Sequence, residues 1–236
     1  MTTARDLLIV SMDTTTGAHS VGQGDLSLAL AGAELLDLAD AFALTLDGDR
    51  IVPGPPQSGL NDRQLSQAAA ALVRQEPYES VEDWLWRRGR GLYAEYLAAL
   101  ETDGGVTREQ HRWIPLRSGR AAVTDSPDRR AAVERWTSGE PVLAALAVAA
   151  RLRDQASEGP QGPEGSEGPE GPGRPEEFEG LEGFDRPEGP EALAALAGDT
   201  VVTVVTAVDD AVTELAAVRQ RRSIEDAAFD NIWRGQ

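Results

Sequence analysis

The chain has 236 residues, with 22 basic and 40 acidic side chains, and a net charge of −18. It contains no cysteine and two histidines, and every basic residue is arginine. This composition excludes disulfides, zinc ribbons, thiol catalysis, lysine Schiff bases and a Walker-type phosphate lysine. The length suits one domain with an appendage.

No secretory signal is visible. The apolar run Leu7-Leu8-Ile9-Val10 stops at Ser11, short of the ~7–15 residues of an h-region. The longest apolar stretch, Val142 to Ala150, has nine residues, against ~18 or more for a spanning helix. The expectation is a cytoplasmic protein that meets a membrane, if at all, from its surface. Abundant Ala, Arg, Gly and Pro without Lys also suggests a GC-rich bacterial genome.

The elements follow in chain order. Leu7 to Met12 reads as a strand or extended lead-in. A polar turn follows, and Asp25 caps an amphipathic helix to Asp40 with Leu26, Leu30, Ala33, Leu36 and Leu38 on its apolar face. Phe42, Leu44 and Leu46 alternate, Asp47-Gly48 turns, and Ile51-Val52 return as a hairpin. Asp62 to Arg74 is helical. Ser80 caps a helix containing Trp84 and Trp86, which runs into Arg87-Arg88-Gly89-Arg90. Leu92 to Leu100 is a helix stopped by Gly104-Gly105. Val106 to Val123 reads as a second hairpin with a Ser118-Gly119 turn. Ser126 caps a helix from Pro127 to Trp136, and Pro141 opens an apolar helix to Asp154. Val201 to Arg222 is a final helix whose β-branched start also fits a strand.

Residues 157–191 stand apart, with 9 Gly, 7 Pro, 10 Glu, 1 Asp and 2 Arg, and a net charge of −9. Such a segment cannot bury enough apolar surface to order itself, so a disordered linker is expected. Glycine at 159, 162, 165, 168 and 171 has a collagen-like phase, but five triplets are too few for a triple helix. Phe178, Leu181 and Phe184 read as a docking motif or as the linker's end. The fold class read from this inventory is mainly α. It is a compact single helical domain over 1–156, completed by a C-terminal helix in 192–236, with two small β-hairpins and a disordered acidic insertion at 157–191.

Catalytic signals are weak. His111 sits in a hairpin beside Glu109 and Arg112, and His19 precedes Ser20. Neither spacing builds a base with an oriented partner. Asp37 and Asp40, and Asp209-Asp210, read as solvated acids without a histidine to make a metal box. Gly22-Gln23-Gly24 lacks the rest of a phosphate loop. No enzyme, metal or cofactor is expected. The basic segment is more informative, because residues 84–136 hold ten Arg and seven acids, +3 in a chain of −18. Arginine forks match phosphate oxygens, and tryptophans anchor at membrane interfaces. Arg87, Arg88 and Arg90 are therefore candidate headgroup ligands, with Trp84 and Trp86 as membrane-contact candidates. A solvated helix end with core tryptophans is the alternative. A nucleic-acid role is not expected, because the helix before the first hairpin carries Glu34, Asp37 and Asp40 and no arginine.

Arg5-Asp6-Leu7-Leu8-Ile9-Val10-Ser11-Met12-Asp13, a turn, and Leu28-Ala29-Leu30-Ala31-Gly32-Ala33-Glu34-Leu35-Leu36-Asp37-Leu38-Ala39 resemble the opening of the Golgi phosphoprotein 3 family. The likeness continues through Val81-Glu82-Asp83-Trp84-Leu85, Gly104-Gly105-Val106 and the helices to residue 153, and suggests a bacterial-type member. It implies a peripheral, non-enzymatic adaptor that binds phosphatidylinositol 4-phosphate, an anionic phospholipid. That family's headgroup site uses a loop tryptophan, an arginine before the helix glycine, and two arginines three residues apart. Here those positions hold Gly22, Ala31, and either Arg90 with Tyr93 or Arg87 with Arg90. The resemblance also implies self-association through a hairpin at 107–123. A cytosolic protein–protein interaction module that has lost the lipid site is the alternative.

Overall fold

In the computed structural model, residues 2–14, 21–57, 59–108, 121–152 and 198–234 are described. The acidic segment 157–191 lies outside them, as do His19, His111 and the Ser118-Gly119 turn. Eight helices and two antiparallel hairpins make up the described residues.

Helix α1 (Thr3–Thr14) replaces the expected strand. Leu7, Leu8, Ile9 and Val10 are all buried, so neither face of the segment is polar. A short, uniformly apolar run carries no period that separates helix from strand. What fixes the helix is a remote cap. Asp37 accepts hydrogen bonds from the backbone N–H of Thr3 at 2.9 Å and Ala4 at 3.2 Å, donors that no residue of α1 itself satisfies.

Helix α2 (Gln23–Asp40) is buried on nearly its whole circumference, from Asp25 to Leu36 and again at Leu38. It is thus a central helix rather than the one-faced helix expected. It touches α1, α3 (Arg63–Ala71), α4 (Val81–Arg88), α5 (Leu92–Thr102), α7 (Pro141–Ala149) and α8 (Asp199–Arg234). Sequence-local caps set several of these. Asp62 accepts from Leu65 N–H for α3, Ser80 from Asp83 N–H for α4, and Ser126 from Arg129 N–H for α6 (Pro127–Thr137).

The first hairpin pairs β1 (Leu44–Asp47) with β2 (Arg50–Pro53), so its two-residue loop is Gly48-Asp49. Phe42 precedes the strand and is 80% exposed. The second hairpin pairs β3 (Val106–Arg108) with β4 (Ala121–Val123), and its tip lies outside the described residues.

The β-branched start of α8 is helical because Val201, Val204, Val208 and Val212 fall on one face and are buried against the core. Burial at helical spacing overrides the strand preference of valine. Gly32 makes the approach possible. A Cβ there would lie 2.5 Å from Val208 Cγ2 and 3.3 Å from Val204 Cγ1, so the backbone of α2 lies against side chains of α8. No described helix is long and apolar enough to cross a membrane.

Candidate functional site

The five residues singled out from sequence have separate fates. Trp84 is fully buried, and its indole N–H donates to the carbonyl of Ala31 at 3.1 Å. It is a core residue and presents nothing to a membrane in this fold. Its neighbour Trp86 is half-buried at the surface.

Arg87 is clamped by Glu79. Its Nε and one terminal nitrogen each donate at 2.6 Å to the two carboxylate oxygens, and it also donates to the Ala71 carbonyl. Its guanidinium lies 5.2 Å from the centroid of the Trp84 ring. This bidentate pair holds the Arg87 pKa above its ordinary value.

Arg88 points inward. Its Nε and a terminal nitrogen reach the two oxygens of Glu34 at 2.8 Å each, and Tyr96 Oη donates to the same carboxylate at 3.2 Å. Glu34 has no exposed surface. Burial pushes its pKa up, against the Arg88 guanidinium and the Tyr96 hydroxyl. Glu34 is thus a buried counter-ion, and of Asp37 and Asp40, expected as solvated acids, Asp40 is exposed but Asp37 is engaged by the start of α1. Burial likewise raises Asp37 to about 6, against the Thr3 and Ala4 N–H donors. Neither Arg87 nor Arg88 is free to meet a ligand without breaking an ion pair.

Arg90 is different. It is exposed, and no carboxylate among the described residues pairs with it. It lines a cavity of about 310 Å³ together with Gln23, Gly24, Ser27, Trp86, Tyr93 and Leu215. The cavity opens where α2 and α5 begin. Helix N-termini direct unsatisfied N–H groups outward, and α2 (N-cap Gly22) has no side-chain cap, whereas the first N–H groups of α5 (N-cap Gly91) are used, Leu92 by the Gly89 carbonyl and Ala94 by the Gly91 carbonyl. Ser27 ties the two together, accepting from Tyr93 N–H at 3.2 Å. The site thus offers one guanidinium without a carboxylate partner among the described residues, two half-buried aromatic walls and the uncapped start of α2. That combination can hold a small anion with an apolar or ring-bearing neighbour.

Sequence reasoning missed Gln23, Gly24, Ser27 and Leu215 as lining residues. Gly22-Gln23-Gly24 was the only local signal, and Leu215 is brought in by α8 from far along the chain. A larger cavity of about 830 Å³ lies around the start of α1, lined by Asp6, Asp37, Asp40, Glu134 and Arg135 among others. Its arginine is taken. Arg135 pairs with Asp6 at 2.6 Å and Glu140 at 3.1 Å, leaving an acidic wall unsuited to an anion. No three acidic or histidine side chains among the described residues group to hold a metal ion. Asp209 and Asp210 are exposed on α8.

A fold centred on a buried helix, with an uncapped helix start at a small basic pocket, defines the class. The sequence matches the model of the Golgi phosphoprotein 3 (GPP34) family over residues 4–166, and the chain belongs to that family. No curated protein matches it.

Proposed function

We propose that this protein is a non-catalytic, peripheral adaptor that binds an anionic phospholipid headgroup in the cavity beside Arg90, on the cytoplasmic face of a membrane. The observation that carries the reading is Arg90 itself. It is a cation with no carboxylate partner among the described residues, in a lined pocket, on a chain whose net charge of −18 would otherwise repel phosphate. Family membership makes phosphatidylinositol 4-phosphate the first headgroup to test. Trp86 and Tyr93 supply the aromatic walls at the membrane side.

Co-sedimentation with vesicles tests this at low salt. Wild type is expected to pellet with vesicles containing phosphatidylinositol 4-phosphate, and Arg90→Ala to lose most of that binding while keeping its melting temperature. Equal binding to phosphatidylglycerol vesicles would mean a general anionic-surface protein. No sedimentation with either would reject the lipid role and leave the protein–protein interaction module, which the strongly acidic chain favours.

A further inference from the structure

Next to two lining residues of the cavity beside Arg90, Gly24 and Leu215, lies a second cation supplied from the other end of the chain. Arg219 lies on α8, outside the residues matched by the family model. One terminal nitrogen (Nη1) donates to both oxygens of Asp25, at 2.8 Å each. The other terminal nitrogen (Nη2) has no acceptor in the described structure. It sits over Gly24, where a Cβ would lie 2.6 Å from it and 2.9 Å from Leu215 Cδ2. Gly24 and Leu215 both line the cavity. The absence of a side chain at position 24 is therefore what lets the guanidinium lie against this lining residue. Arg219 remains 44% exposed on its side chain while Asp25 is only 13% exposed. The carboxylate is fixed in the first turn of α2, and the arginine is the movable partner.

We infer that Arg219 is the second cation of this pocket, and that Asp25 is the counter-ion that restrains it. The inference rests on the headgroup reading above and deepens it. Two guanidiniums on one small pocket suit a phosphomonoester, which carries close to two charges near neutral pH and has three acceptor oxygens. An arriving phosphate competes with Asp25 for Arg219, so the ion pair sets a threshold against weaker, singly charged anions. The start of α2 and the body of α8 are linked by the same pair, so ligand binding also loosens or shifts the contact between them.

A helix staple and a restrained ligand residue make opposite predictions. If the pair only fastens α8 to α2, Arg219→Gln and Asp25→Asn damage the protein in the same direction. If Arg219 is a ligand residue, the two variants diverge. The experiment is vesicle co-sedimentation of the full chain at low salt, with phosphatidylinositol 4-phosphate or phosphatidylglycerol as the anionic component. Arg219→Gln is expected to weaken phosphoinositide binding about tenfold, the value of one charge-assisted contact. Arg219→Lys is expected to recover part of it. Asp25→Asn is expected to tighten binding by up to about fivefold, the scale of a partly exposed ion pair, and to raise phosphatidylglycerol binding as the threshold falls. Tightening cannot come from a damaged fold, so the Asp25→Asn arm stands even if Arg219→Gln is unstable. Parallel losses in both variants, or no change in either while Arg90→Ala still abolishes binding, would overturn the role of Arg219 alone. Absence of wild-type binding would overturn the headgroup reading and this inference with it.

Discussion

At the level of single residues, the arginine cluster at the end of α4 and just beyond it divides by what each side chain already holds. Arg88 satisfies a glutamate with no exposed surface. Removing one partner of such a pair leaves an unsolvated charge, which typically costs about 3–5 kcal/mol. Arg88→Met is therefore expected to destabilise the protein by about that amount in urea unfolding, while Arg90→Ala stays within about 0.5 kcal/mol of wild type. A destabilised Arg90→Ala would show that Arg90 is structural after all. Substituting Arg87, Arg88 and Arg90 together would confuse lost binding with lost folding. Asp37 gives the matching pH test. Its native pKa of about 6 stands above the ordinary 3.8, so the native state binds this proton more tightly than the unfolded chain. The stability it contributes is fully present below about pH 4 and is lost as pH rises through about 6. A shift of 6 − 3.8, roughly 2 units at 1.36 kcal/mol each, amounts to about 3 kcal/mol. Between pH 4 and 6.5, wild type should lose about that much relative to Asp37→Asn. A constant difference across this range would mean that Asp37 does not titrate there.

At the level of elements, Gly32 marks the closest approach of two helices. An added methyl would lie 2.5 Å from Val208 and must displace α8 or force a rotamer. Overpacking of this kind costs about 1–3 kcal/mol. Gly32→Ala is expected to lower the melting temperature, and pairing it with Val208→Ala should recover part of the loss. Additive losses would place the clash elsewhere. The same contact shows how far the sequence could be read. Elements with their own signals were legible: Ser80, Asp62 and Ser126 are local caps, and each begins a helix where expected. Elements whose determinants are remote were not. The strand reading of α1 failed because its cap is Asp37, more than thirty residues away. Asp37 reads as a solvated acid because nothing near it in sequence announces the Thr3 and Ala4 N–H groups as partners, just as nothing near Glu34 announces Arg88 or Tyr96. A helix apolar on almost every side was the available sign that such an acid would be buried. Of the candidate site, the arginine-rich end of α4 was found. Which arginine is free depends on Glu79 and Glu34, and the cavity itself needs α2, α5 and α8 together.

At the level of the whole molecule, charge opposes the proposed site. Half of the net −18 lies in residues 157–191, and the site offers Arg90 and the adjacent Arg219. Contact and field effects differ in reach. A guanidinium against a phosphate acts over a few ångströms and survives screening in part. Repulsion between a negative segment and an anionic bilayer acts over the Debye length, about 30 Å at 0.01 M salt and about 8 Å at 0.15 M. Deleting 157–191 changes the net charge from −18 to −9, since the segment contributes −9. If the segment acts only through its field, deletion should strengthen vesicle binding several-fold at 0.01 M salt and leave it nearly unchanged at 0.15 M. The loss in Arg90→Ala should persist at both salts, because that contact is local. Sedimentation of the four proteins, with and without the segment and with and without Arg90, separates the two effects. An enhancement that does not fade with salt would mean that the segment acts by direct contact rather than by its charge at a distance. An absence of enhancement at 0.01 M would mean that the bilayer is engaged by a face on which the segment's charge is not felt.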